Sequence, residues 1–205
     1  MKRFVLAMLV TLLAVRPGLA AEITPIDALR PPLDKALAIL QDPRYRIPAE
    51  KEAQKEKLWE LIRLVFDFEG ITERAVGRNW KLFSPEQKKE FTEDFTQLLG
   101  NSYLTRIQGE FNNEKVEFLS QELLPGAKAR VKSKIIRQAD SIPVDYSVRQ
   151  LEGTWRIYDV NIEGVSLVQN YRSQFDQILS KDPPAVLIER IKTKNKDQAK
   201  EKEKK

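Results

Sequence analysis

The 205-residue chain contains no cysteine and no histidine. The first absence excludes disulfide staples and thiol chemistry. Taken with the second, it removes the Ser-His-Asp triad, the Cys-His pair and the usual zinc sites. Carboxylate, Lys, Ser or Tyr chemistry is all that remains for catalysis, and no cofactor or metal is expected. Among the 8 glycines there is no phosphate-cradling loop. Gly164-Val165-Ser166-Leu167 lacks the second glycine of a nucleophile elbow. Ser166, without a base, reads as a helix N-cap serving the N–H of Val168 or Gln169. Glu69 and Glu73 are spaced to share a surface, as solvated carboxylates do. The 3 Trp and 9 Phe are not interleaved with Lys or Arg at strand spacing. That favours core packing over nucleic-acid stacking.

Long apolar runs are also scarce. The one notable run, residues 4–15, follows Lys2 and Arg3 and is shorter than the about 20 residues of a membrane span. Gly18-Leu19-Ala20 then offers the small residues of a signal-peptidase site. Residues 1–21 are expected to be a removed signal peptide, with export to the periplasm of a Gram-negative type envelope. No cysteine follows the run, which excludes lipoprotein processing. The formal net charge is +5. Without the three cations of the leader it falls to about +2. The stretch after Ile191 carries seven lysines against Asp197, Glu201 and Glu203, leaving the rest slightly acidic. Residues 193–205 therefore read as a disordered Lys/Glu-rich tail, with weak attraction to anionic headgroups as a secondary reading.

What is present centres on residues 84–111. Ser84, Pro85 and Gln87 form a helix start with a capping box. Phe91, Phe95, Leu99, Tyr103, Ile107 and Phe111 then recur every fourth residue as an apolar ridge. Before it, residues 23–42 read as a helix restarted by Pro31-Pro32, with Leu33, Leu37 and Leu40 on one side. Residues 49–68 read as a second helix stopped by Gly70, carrying Leu58, Leu61, Ile62, Val65 and Phe66. Thr72 is expected to cap a short third helix through Trp80.

After Asn113 the period shortens to two. Val116 and Phe118 alternate in one strand, and Ala129, Val131, Ser133 and Ile135 in the next. Ile142, Val144, Tyr146 and Val148 follow, then Trp155, Ile157 and Val160. Pro125-Gly126 and Glu152-Gly153 supply turns. This is a four-stranded antiparallel meander with one apolar face, the natural partner for the ridge. Residues 165–179 and a segment capped by Asp182 close a single α+β domain over residues 22–192, with helices packed on one face of the sheet. Nothing demands more than a monomer.

The run Tyr158-Asp159-Val160-Asn161-Ile162-Glu163-Gly164-Val165-Ser166-Leu167 resembles the signature of the MlaC family (toluene-tolerance, Ttg2-type proteins). Gly153-Thr154-Trp155 before it and Asn170-Tyr171-Arg172-Ser173-Gln174-Phe175 after it extend the likeness, as do Ser84-Pro85-Glu86-Gln87 and residues 95–103. The resemblance implies a periplasmic phospholipid carrier, not an enzyme, serving an ABC transport system that maintains outer-membrane lipid asymmetry. It implies an apolar lipid cavity between helices and sheet. Phe95, Leu99, Tyr103 and Ile107 would form one wall, and Val131, Ile135, Val144, Tyr146, Val148 and Ile157 the other. Val165, Val168 and Phe175 would lie near the mouth. It further implies two docking partners: an inner-membrane substrate-binding ring and an outer-membrane lipoprotein–porin complex. A periplasmic chaperone or lipoprotein carrier would use an apolar groove too. A hydrolase or isomerase with a nuclear-transport-factor-like fold would need an ionisable residue deep inside, and Tyr146 is the one titratable inward position.

Overall fold

The computed structural model describes residues 23–203; the expected signal peptide lies outside them. Helix α1 (Pro25–Gln41) is capped by Thr24 and is continuous through Pro31 and Pro32, where a restart was expected. Two prolines remove two backbone donors, but burial of Leu29 below them keeps the helix in one piece. Two 3-10 turns, Pro43–Arg46 and Pro48–Glu50, lead into α2 (Lys51–Val65).

Phe66 is extended and forms a parallel bridge with Ile157. Asp67, not Thr72, caps the next helix, α3 (Phe68–Val76), its carboxylate accepting the Gly70 N–H at 2.9 Å. Gly70 therefore does not stop a helix. It sits in the first turn of one, where a Cβ would fall 2.1 Å from Asp67 Oδ2. The other partner of Asp67 is Arg149, at 2.5 Å on the sheet. A 3-10 segment, Gly77–Leu82, precedes α4 (Pro85–Glu110), whose Ser84–Gln87 capping box is complete.

The sheet is an antiparallel meander of β1 (Lys115–Leu124), β2 (Lys128–Ile136), β3 (Ser141–Leu151), β4 (Thr154–Ile162) and the two-residue β5 (Val165–Ser166). It thus has five strands where four were expected, the fifth being the short return after the Glu163-Gly164 turn. Both turn residues take positive φ, the pattern of a two-residue hairpin that follows the sheet twist. The register sets Val131 opposite Tyr146 and Ile135 opposite Ile142, so the alternating apolar residues share one face.

Helices α5 (Leu167–Leu179) and α6 (Pro184–Glu203) complete the α+β fold. α6 begins at Pro184, just beyond the expected Asp182 cap, and it carries the Lys-rich end as helix rather than as a disordered tail. Asn195 is only 7% exposed. Its amide donates to the Asp94 carbonyl at 2.9 Å, and Gln198 donates to Ser102 Oγ at 2.7 Å. These contacts to α4 order a segment whose composition alone favours solvent.

Two apolar clusters result. One is helical, and in it Phe91, Phe95, Leu98 and Leu99 of α4 meet Phe175, Leu187 and Ile191. The other lies on the sheet, where Ala129, Val131, Val148 and Ile157 meet Leu29 of α1. The partner of the α4 ridge is therefore mainly helix, not sheet. A residue advances about 100° around a helix, so a four-residue repeat drifts by about 40° per step. From Phe91 to Ile107 the stripe turns through about 160°, and the two ends of α4 face different cores.

The close approach of α2 to α4 depends on Gly100, where a Cβ would lie 2.8 Å from the Trp59 ring. Gly109 has nothing within 4 Å of such a Cβ. Gly100→Ala should lose about 1–2 kcal/mol from overpacking despite better helix propensity. Gly109→Ala should gain about 0.5 kcal/mol. Urea unfolding of the two variants reads both signs.

Candidate functional site

Between the sheet and the first two helices lies a cavity of about 350 Å³. From α1 it receives Leu29, Leu33, Ala36, Leu37 and Leu40, recurring at three- and four-residue intervals on one face. From α2 come Leu58, Leu61, Ile62 and Val65, with Phe66 beyond its end. The C-terminal end of α4 contributes Leu104, Ile107 and Phe111. The sheet supplies the floor through Val116, Phe118, Ile135, Tyr146 and Ile157. Charge enters only through Glu110, Glu114 and Arg137.

Of the thirteen positions singled out in the sequence, the structure brings four to this cavity: Ile107, Ile135, Tyr146 and Ile157. Val131, Val148 and Val144 are on the inner sheet face but fully packed, outside the lining. Phe95, Leu99, Val168 and Phe175 belong to the helical cluster, and Tyr103 packs against it. Phe95 and Phe175 meet edge to face at 5.2 Å between ring centres. Val165 is 63% exposed on β5 and outside the lining. The physical cause is the drift of the α4 stripe: only its last turns reach the cavity.

The residues missed are those of α1 and α2. Their apolar sides are visible in the sequence. What would have assigned them to a cavity is that so many of their leucines stay only half-buried in the fold. A helix face with a complete partner would be closed.

The cavity interior offers little chemistry. Burial raises the Tyr146 phenol above its ordinary value, partly offset by its hydrogen bond with Ser133. Ser133 Oγ in turn donates to the Val144 carbonyl at 3.0 Å. Tyr146 is thus held in its neutral form on the sheet floor, and away from Glu110, Glu114 and Arg137 the walls suit a hydrocarbon.

A second, polar cleft of about 520 Å³ lies between α3 and α5, lined by Glu73, Arg74, Gly77, Arg78, Arg172 and Asp176. Two of its arginines serve the fold. Arg172 Nε donates to the Arg74 carbonyl at 2.8 Å, closing the end of α3. The Arg74 guanidinium lies 4.2 Å over the Tyr158 ring.

The signature run is a structural joint. Asp159 accepts from Ser166 Oγ at 2.6 Å and from the Val168 N–H at 3.1 Å. Ser166 accepts from the Gln169 N–H at 3.0 Å. Side chains on both sides of the Glu163-Gly164 turn thereby start α5.

Comparison with known proteins gives a consistent result. A family model described as MlaC protein matches residues 32–193. The toluene tolerance protein ttg2D of Pseudomonas putida is 25% identical over 177 residues, covering 85% of this chain and 82% of that protein. The intermembrane phospholipid transport system binding protein MlaC of Haemophilus influenzae is 21% identical over 192 residues, covering 91% and 89%. A solved structure of a phospholipid-binding protein from Ralstonia solanacearum, in complex with a phospholipid, aligns with a TM-score of 0.70 and 25% identity. It covers 82% of this chain and 94% of the solved one.

The division of α4 makes two outcomes testable. Leu99, 6% exposed in the helical cluster, should not tolerate charge. Leu99→Asp is expected to cost about 4 kcal/mol or more and to unfold the protein. Ile107→Ser, at a cavity-lining position 40% exposed, should cost less than about 1 kcal/mol. Chemical denaturation separates them.

A separate outcome, at Tyr171 of α5, concerns alkali. Burial, with Tyr103 beside it, pushes the Tyr171 phenol up to about 12. Its neutral form is favoured in the fold, so the stability it contributes is complete below the ordinary tyrosine value of about 10. That contribution falls as pH rises from there towards 12. Tyr171→Phe should flatten the fall in this window, as read from melting temperature against pH.

Proposed function

The chain belongs to the MlaC family, and from that premise we propose that it is a phospholipid-binding transport protein whose cavity shelters acyl chains. The observation that carries this reading is the cavity itself, with apolar walls from α1, α2, α4 and the sheet, and charge confined to three residues. Each methylene withdrawn from water gains roughly 0.8 kcal/mol. A carrier crossing an aqueous space must return that gain along the whole acyl chain, which continuous apolar walls do. The headgroup remains outside, at the exposed charged side. A captured polypeptide fits these walls poorly, because its backbone amides would find no partners there.

The protein is read as periplasmic, exported by residues 1–21, with one lipid-binding domain over residues 22–192. Among the described residues no helix is long and apolar enough to cross a membrane. In this reading it receives and delivers lipid at an inner-membrane substrate-binding ring of an ABC transporter and at an outer-membrane lipoprotein–porin complex. Its contribution is shelter and release rather than catalysis.

The test uses full-length protein expressed with its leader and purified from the periplasm without detergent. Organic extraction and mass spectrometry should return near-stoichiometric phospholipid. Protein that comes off clean and also fails to load from liposomes would overturn the reading. Ala36→Trp places a large side chain on the cavity-lining face of α1. It should reduce lipid occupancy severalfold while the melting temperature is held or raised.

A further inference from the structure

The three charged residues of the cavity are brought together by the backbone. β1 and β2 pair with Val116 opposite Ile135 and Lys115 opposite Ile136. One rung further, Glu114 falls opposite Arg137. Strand alternation puts these two on the same face as Val116 and Ile135, the face that floors the cavity. Glu110 ends α4 beside them, and the last turn of that helix contains no basic residue. The helix terminus and the Glu114 carboxylate, with Glu110 shared with Arg106, therefore make one side of this opening acidic. Arg137 makes the other side positive.

Arg137 does not neutralise its neighbours. Glu110 pairs with Arg106 at 2.9 Å. Glu114 accepts the Asn112 N–H at 2.6 Å. Among the described residues, the Arg137 side chain has no ion-pair or hydrogen-bond partner. A guanidinium with its donor fork open suits a phosphate diester. The adjoining carboxylates and helix C-terminus suit an ammonium a few bonds away.

We infer that this opening is a headgroup subsite for zwitterionic glycerophospholipids, with Arg137 on the phosphate and Glu110 and Glu114 around the amine. An anionic headgroup without an amine meets the same carboxylates with nothing to offer them. The inference rests on the carrier reading above and adds the class of lipid carried.

The experiment offers delipidated full-length protein equimolar mixed vesicles of three lipids with the same dioleoyl chains. These are a phosphatidylethanolamine, a phosphatidylglycerol and the phosphate-free dioleoylglycerol, and bound lipid is counted by mass spectrometry. The ethanolamine lipid should exceed the glycerol lipid by about threefold or more, the scale of exposed charge pairs. The double variant Glu110→Gln with Glu114→Gln should bring that ratio close to one. Arg137→Gln should lower both phospholipids against dioleoylglycerol by about threefold, and Arg137→Lys should recover part of the loss. All three positions lie at or near the surface, and circular dichroism verifies that each variant is folded. Equal loading of the two phospholipids by the unaltered protein, or a ratio unmoved by the double variant, would overturn the headgroup subsite alone. Failure to take up any of the three lipids would overturn the carrier reading and the subsite together.

Discussion

The mismatch between a four-residue apolar repeat and the 3.6-residue helical turn governs this structure. In α4 it sends Phe91, Phe95 and Leu99 into a core made of helices, and Leu104, Ile107 and Phe111 towards the sheet. Had the repeat followed the helical period, one face of α4 could have lain along the sheet and closed it. Instead, the inner sheet face is covered by α1 and α2, whose Leu33, Leu37, Leu40 and Leu61 are only half-buried. The space left between them is the cavity. The site is thus a consequence of how one helix is shared between two cores.

The helical core is the anchor of the arrangement. Phe91, Phe95, Tyr171 and Phe175 pack ring on ring with centres about 5–6 Å apart, near the preferred separation of aromatic pairs. Asp159 and Ser166 fix where α5 begins, and with it the two rings that α5 contributes. The signature run by which the family is recognisable therefore contributes no residue to the cavity lining. It holds the rigid half of the molecule in register with the sheet, against which the cavity is built.

Much of the local structure was legible before any coordinates. The Ser84–Gln87 capping box, the Ser166 cap and the strand alternation depend on neighbours within a few residues, and each appears as read. The failures share a cause. Asp67 caps α3 while paired with Arg149, a partner far along the chain, and Gly70 takes its place because of that pair. Asn195 and Gln198 make the Lys-rich end helical through α4. The cavity residues of α1 and α2 were visible as apolar faces but not as walls, because a pattern tells which side is apolar and not whether its partner is complete.

That incompleteness is confined to apolar contacts, which is what allows a wall to be exchanged for a ligand. The polar ties of α1 lie towards its ends. Trp155 Nε1 donates to the Ile23 carbonyl at 2.9 Å, and the Ile26 N–H donates to Gln121 at 2.8 Å. At the far end, Gln54 donates to the Ile39 carbonyl at 2.9 Å, and Gln108 of α4 donates to Gln54 at 2.9 Å. Between these ties stand Leu29, Leu33, Ala36 and Leu37, which face the cavity with hydrocarbon only. An acyl chain that replaces such contacts breaks no hydrogen bond and leaves no buried donor unpaired, so the desolvation penalty of an orphaned polar group does not arise. Contacts along the chain are of one kind and individually small. Entry and release can then proceed methylene by methylene, while the ends of α1 keep the cavity in place.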